Sequence, residues 1–177
     1  MKISGKTWTK VIVVGLYVII GLIIPFRLTD FSDTYIKDNN LNFSKYSKIV
    51  EIIDTEKDFS SKIKDLLVIS DEQQIKNESS NLNTVLANIS DKCDGIEKNT
   101  TNSEEKQIFD DILNNRRNYL PIQNKIIEYF KIQPKANELV ILYGDLTKTQ
   151  KGYIEKCYQL SGLYKKTIED TNSDTAF

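Results

Sequence analysis

Glu56, Arg116 and Gln150 are polar residues standing where the surrounding pattern calls for apolar ones. Glu56 shares a stripe with Ile49 and Ile63, and Gln150 lies between Leu146 and Tyr153. Arg116 belongs to the stretch NNRRNYLPIQNKIIEYF (114–130), where Tyr119, Leu120, Ile126, Ile127 and Phe130 recur at helical spacing and Gln123 and Pro121 interrupt the same face. A carboxylate, a guanidinium and a carboxamide in an apolar setting suit electrostatics better than catalysis. A buried arginine is tolerated when its charge is paired and its donors are satisfied. Equally open is a reading in which the arginine stem covers apolar surface and its head reaches solvent at a bundle edge. Ligand binding by Arg116 or Arg117 ranks third. Pro121 removes an N–H from its helix and predicts a kink.

The remaining composition argues against an enzyme. The 177 residues contain no histidine, so a His base, a His-held zinc and a Ser-His-Asp triad cannot be built within the chain. The seven glycines form neither GxGxxG nor GxxxxGK[ST], so phosphate-cradling loops are missing. Asp110 and Asp111 point to adjacent sides of a helix and read as solvated charge. No catalytic, metal or cofactor residue is expected, and a net charge of −1 gives no field for nucleic acid. Cys93 and Cys157 fall at similar heights on helices expected to be diagonal, which favours two small buried thiols over a disulfide. Asn77-Glu78-Ser79 and Asn88-Ile89-Ser90 match a glycosylation pattern short enough to arise by chance in an Asn-rich chain.

The elements that must carry these residues are all helical. Residues 11–26, VIVVGLYVIIGLIIPF, form an uncharged run that Trp8 extends toward the ~20 residues a bilayer requires. Lys2, Lys6 and Lys10 precede it, placing residues 1–10 in the cytoplasm and residues 27–177 outside. Pro25-Phe26-Arg27 lacks a small-x-small cleavage site, so an uncleaved anchor is expected rather than a signal peptide. Beyond it, breaks at Ser70-Asp71-Glu72-Gln73 (a capping box), Asn99 to Asn102, and Gln133-Pro134 predict helices at about 30–69, 71–98, 104–132 and 134–171. Ser103, Glu104 and Glu105 open the third. Ile75, Leu82, Ile89 and Ile96 recur every seven residues in the second, and Leu139, Tyr143, Leu146, Gln150, Tyr153, Cys157, Leu160 and Tyr164 seam the fourth. Short connections between such helices predict an antiparallel up-down-up-down four-helix bundle behind an N-terminal transmembrane helix. Counted from the distal turns, Glu56, Arg116 and Gln150 reach one level on three helices, a candidate buried polar layer.

A lysine-flanked anchor leads into a long helix with an early Tyr35. An Asn-rich segment follows, then a Ser103-Glu104-Glu105 turn before RRNYLPIQNKIIEYF, and KANELVILYGDL enters the last helix. The whole chain resembles the four-helix-bundle ligand-binding (sensor) domain of bacterial methyl-accepting chemotaxis proteins. An arginine followed shortly by a tyrosine is common in that family's third helix, and Arg117 and Tyr119 stand there. The resemblance implies a membrane-embedded receptor for chemotaxis that forms a homodimer through its first and fourth helices. It would bind a small molecule or a ligand-loaded binding protein, and a shift of the fourth helix would carry the signal. The arginine cluster of the aspartate and serine receptors has no counterpart, since this region offers Lys57, Lys62 and Lys64, so no ligand residue is carried over. Asp174-Thr175-Ala176-Phe177 falls about where that family's second transmembrane helix begins, so the likeness is to a module truncated before it. Two other readings fit the pattern: a single-pass anchored scaffold that binds a partner chain, or the sensor of a histidine kinase or cyclase.

Overall fold

A computed structural model describes the backbone of residues 5–173 apart from residue 101, and the side chains from Thr34 onward. Every regular element among the described residues is an α-helix: α1 (Gly5–Val68), α2 (Glu72–Ser79), α3 (Leu82–Glu97), α4 (Ser103–Ile132) and α5 (Glu138–Ser173). The chain divides into two units, Met1–Asn40 and Leu41–Phe177. Among the described residues no helix is long and apolar enough to cross a membrane. The apolar run 11–26, where the sequence places the transmembrane helix, lies outside the residues whose side chains are described.

Within Leu41–Phe177 the helix directions follow from which residues meet. Lys92 of α3 pairs with Glu51 of α1, and Lys48 of α1 lies against Gly95 of α3, so those two helices run antiparallel. Lys156 of α5 pairs with Asp111 of α4 while Tyr153 stacks on Tyr119, again antiparallel. Lys45 reaches Glu105 and Glu56 reaches Tyr119, with numbers rising together, so α1 and α4 run parallel. This is an up-down-up-down bundle in which α2 and α3 together make the second leg. Its core draws on each leg: Ile49, Ile52, Phe59 and Ile63 from α1, Ile75 and Ile89 from α2 and α3, Phe109, Ile126 and Phe130 from α4, and Leu146, Tyr153 and Leu160 from α5, each at most 2 % exposed. The periodicity that places them on one side of each helix also supplies the energy, about 1.5–3 kcal/mol for each large apolar side chain buried.

The helix ends differ from the sequence expectation in three places, each for a local reason. Asp71, not Ser70, caps α2: its extended backbone lets its carboxylate accept from the N–H groups of Gln73 (2.8 Å) and Gln74 (3.1 Å). The second leg, expected unbroken over 71–98, is interrupted at Ser80 and Asn81. The hydroxyls of Ser79 and Ser80 donate to the carbonyls of Lys76 and Asn77, and the Asn81 N–H turns to the Glu78 carbonyl three residues back. Such side-chain competition tightens a helix locally. Pro134 does not open the last helix. It sits second in a turn closed by the Ala136 N–H on the Gln133 carbonyl (3.0 Å), and α5 begins at Glu138. α4 runs continuously through Pro121.

Candidate functional site

The middle of the bundle holds a polar cluster supplied by α1, α4 and α5. Glu56 on α1 is fully buried, and one of its carboxylate oxygens, Oε2, accepts from the Tyr119 hydroxyl (2.7 Å) and the Gln123 amide (3.0 Å), both on α4. Tyr119 and Gln123 are four residues apart, one helical turn, which is why a single carboxylate can reach both. Gln150 of α5 grips α1 at both ends of its amide. Its Nε2 donates to the Glu56 backbone carbonyl (2.7 Å) and to the Tyr119 hydroxyl (3.1 Å), while its Oε1 accepts from the Ser60 hydroxyl (2.7 Å). Glu56 and Ser60 are likewise one turn apart. Below the amide, the Tyr119 and Tyr153 rings stack with centroids 5.7 Å apart.

Gln150 therefore meets Glu56 at its backbone carbonyl, and reaches the carboxylate only through the Tyr119 hydroxyl. Arg116 lies beside them but turns to α3, where its Nη2 donates to the Ser90 hydroxyl (2.8 Å). Its positive charge acts on Glu56 through space. Arg117 is exposed and bonds Asn114 on its own helix. Several buried polar atoms of the cluster have no hydrogen-bond partner in the protein: Glu56 Oε1, Gln123 Oε1, Arg116 Nε and the Tyr153 hydroxyl.

Electrostatics follow from that arrangement. Burial raises the Glu56 carboxyl from its ordinary 4.5 to about 7, against the opposing pull of the Tyr119 hydroxyl, the Arg116 charge and the Gln123 amide. Desolvation wins because two neutral donors and a guanidinium that acts only through space do not replace a full hydration shell. Burial also pushes up the Tyr119 and Tyr153 hydroxyls and the Cys93 and Cys157 thiols. The two cysteines are free and buried, on α3 and α5. Among the described residues no three or more His, Cys, Asp or Glu side chains gather as a metal site.

A second buried polar node joins the same three legs. Lys45 of α1 and Glu105 of α4 form an ion pair at 2.8 Å with side chains only 4 % and 7 % exposed, and the ammonium lies 5.0 Å from the centroid of the Tyr164 ring of α5. Glu105 thus stands in the first turn of α4, as the sequence suggested, and is at the same time buried in the core. Lys45 and Glu105 each stand four residues before a buried aromatic or aliphatic residue, Ile49 and Phe109, so the periodicity carried the signal. Tyr119 and Gln123 carried it too, one read as apolar and the other only as an oddity.

Elsewhere the surface offers shallow features. A groove of about 190 Å³ lies between α1 and the break in the second leg, lined by Lys62, Asp65 and Glu78 among others. A wider one of about 330 Å³ lies along the end of α4 beside Tyr129 and Ile132.

No curated protein matches the chain. Among protein families, the four helix bundle sensory module for signal transduction matches residues 1–177. That is the module whose likeness the apolar N-terminal run, the third-helix motif and the KANELVILYGDL entry carry. With four antiparallel legs in place and the match running the full length, the chain belongs to this family of signal-transducing sensory bundles.

Proposed function

We propose that the protein is the extracytoplasmic sensor module of a membrane chemoreceptor of the methyl-accepting chemotaxis type, anchored by residues 11–26 and acting as a homodimer. The observation that carries this reading is the match of residues 1–177, apolar N-terminal run included, to a sensory module for signal transduction. A sensor of this design works by population shift: a ligand that binds two packings of the bundle unequally changes their ratio. The last helix is built for such a role. The Gln150 amide couples α5 to α1 through directional bonds, so displacement of α5 breaks them together rather than one by one. The outer surface of α1 and α5 supports pairing, since Phe43 is 61 % exposed and Tyr158 50 % exposed on those two helices.

The topology is tested by replacing Asn99, in the turn between α3 and α4, with cysteine and treating intact cells with a membrane-impermeant maleimide. Labelling in intact cells is the expected outcome. Labelling that requires lysis would overturn the extracytoplasmic placement. Pairing is tested with Phe43→Cys, which should yield an oxidised dimer in membranes where a cysteine at Lys106, exposed on α4, does not.

A further inference from the structure

The cluster around Glu56 contains acceptors without donors and donors without acceptors, and the two sets can be matched in two ways. Glu56 and Gln123 are joined by one N–H···O bond through Glu56 Oε2, and each has its other oxygen bare: Oε1 of the carboxyl and Oε1 of the amide. A proton on Glu56 Oε1 turns one of these acceptors into a donor for the other, completing an acid–amide pair with two hydrogen bonds. Without that proton the carboxylate must find a donor elsewhere. Two buried donors stand nearby: Arg116 Nε on α4, which has no partner, and the Tyr153 hydroxyl on α5, which has only the weakly accepting Cys93 and Cys157 thiols against it.

We propose that Glu56 is a proton-binding site whose ionisation repacks α5 against α1 and α4, so that the sensory bundle responds to pH. In the protonated arrangement Glu56 is satisfied by α4 alone, and Gln150 is left to hold α5 on α1 through the Glu56 carbonyl and the Ser60 hydroxyl. In the ionised arrangement the bare oxygen draws donors from α5, and the Gln150 and Tyr153 side chains, one turn apart, move with it. A charge-bearing Oε1 in a dry core cannot be left unpaired, so the helix rather than the charge gives way. The charged and titratable groups that bear on Glu56 come from three helices: Arg116 and Tyr119 on α4, Tyr153 and Cys157 on α5, and Cys93 on α3. Of these only Arg116 is cationic, and it favours ionisation. The tyrosines and thiols are pushed upward by burial and remain neutral through the range where Glu56 changes charge.

The full chain in lipid nanodiscs is titrated across the neutral range by infrared spectroscopy, following the carbonyl band of a protonated carboxylic acid. Amide hydrogen exchange over residues 146–157 of α5 is measured on the same samples. The expected band disappears with a midpoint near pH 7 and is missing in Glu56→Gln. Beyond the intrinsic effect of pH, exchange in α5 should accelerate by up to about tenfold per pH unit below that midpoint, the limit for one linked proton, and level off above it. Glu56→Gln should abolish that extra dependence. Should this variant fail to fold, Tyr119→Phe serves instead: it removes a donor to the carboxylate and must move the midpoint upward. A wild-type protein with no acid band at neutral pH, a band whose loss leaves α5 exchange unchanged, or a Tyr119→Phe midpoint that stays in place would each overturn the proposal.

Discussion

Two buried carboxyls of this bundle lie between the same three legs and meet opposite electrostatic fates. Glu105 has a lysine ammonium at 2.8 Å, so its charge is matched by a partner as deeply buried as itself. Glu56 has only neutral donors in contact, a phenol and a carboxamide, and Arg116 turns away to Ser90. The first arrangement is a fixed ion pair that sets which residues of α1 and α4 face each other. The second is a carboxyl that burial raises from its ordinary 4.5 to about 7. What separates them is not burial, which is nearly complete in both, but whether a full opposite charge stands within contact distance.

The comparison breaks most visibly at Lys45. Lys45→Met leaves Glu105 buried and unpaired, and should cost about 3–5 kcal/mol in urea denaturation. Adding Glu105→Leu should recover most of that loss, because an apolar pair of similar volume needs no counter-charge. If the double variant is as unstable as the single, the node is not an ion pair in solution.

The pH dependence of stability sharpens the other half. The folded value of Glu56 is raised from 4.5 to about 7, so the neutral form is the one the fold favours. Its contribution is present in full below 4.5 and is lost as pH rises to 7. The difference amounts to about 3 kcal/mol. Glu56→Gln should flatten this component of the curve, whereas the Lys45 and Glu105 double variant should retain it. Denaturation midpoints of the three proteins on either side of neutrality decide the matter.

Tyr119→Phe gives a smaller effect with a distinctive sign. Above the Glu56 midpoint it deletes a hydrogen bond to a charged group, about 1.5–3 kcal/mol, and below the midpoint one to a neutral group, about 0.5–1.5 kcal/mol. A loss of equal size on both sides would mean that the hydroxyl does not sense the carboxyl charge. The smallest change is a control on the outer face of α5. Nothing lies within 4 Å of a Cβ built on Gly144, so Gly144→Ala should stabilise by about 0.5–1 kcal/mol through helix propensity alone. It should leave the pH profile untouched.

Much of the architecture was legible because helical periodicity is a local property. The seam residues of α5, from Leu139 to Tyr164, are buried except Tyr143, which is half-buried, and the seven-residue series from Ile75 to Ile96 is the core face of the second leg. The helix ends were less legible. Asp71 and Ser70 both qualify as caps by type, and only backbone dihedrals choose between them. The serine-driven break at Ser80 likewise depends on which way two hydroxyls turn. Glu56, Arg116 and Gln150 stood out as polar residues at apolar positions, but their pairing did not follow from that. The arginine meets Ser90, and the carboxyl meets Tyr119 and Gln123.

The amino-acid order by itself determined that the chain is helical, where its legs lie, and which stripe of each leg is buried. Those follow from spacing along one chain and need no knowledge of neighbours. Only the tertiary structure decided that one buried acid is matched by a lysine and another by a tyrosine and one amide. That choice rests on the rotation and axial offset of four helices. A shift of one residue, about 100° of rotation and 1.5 Å of rise, is enough to exchange a counter-ion for a neutral donor.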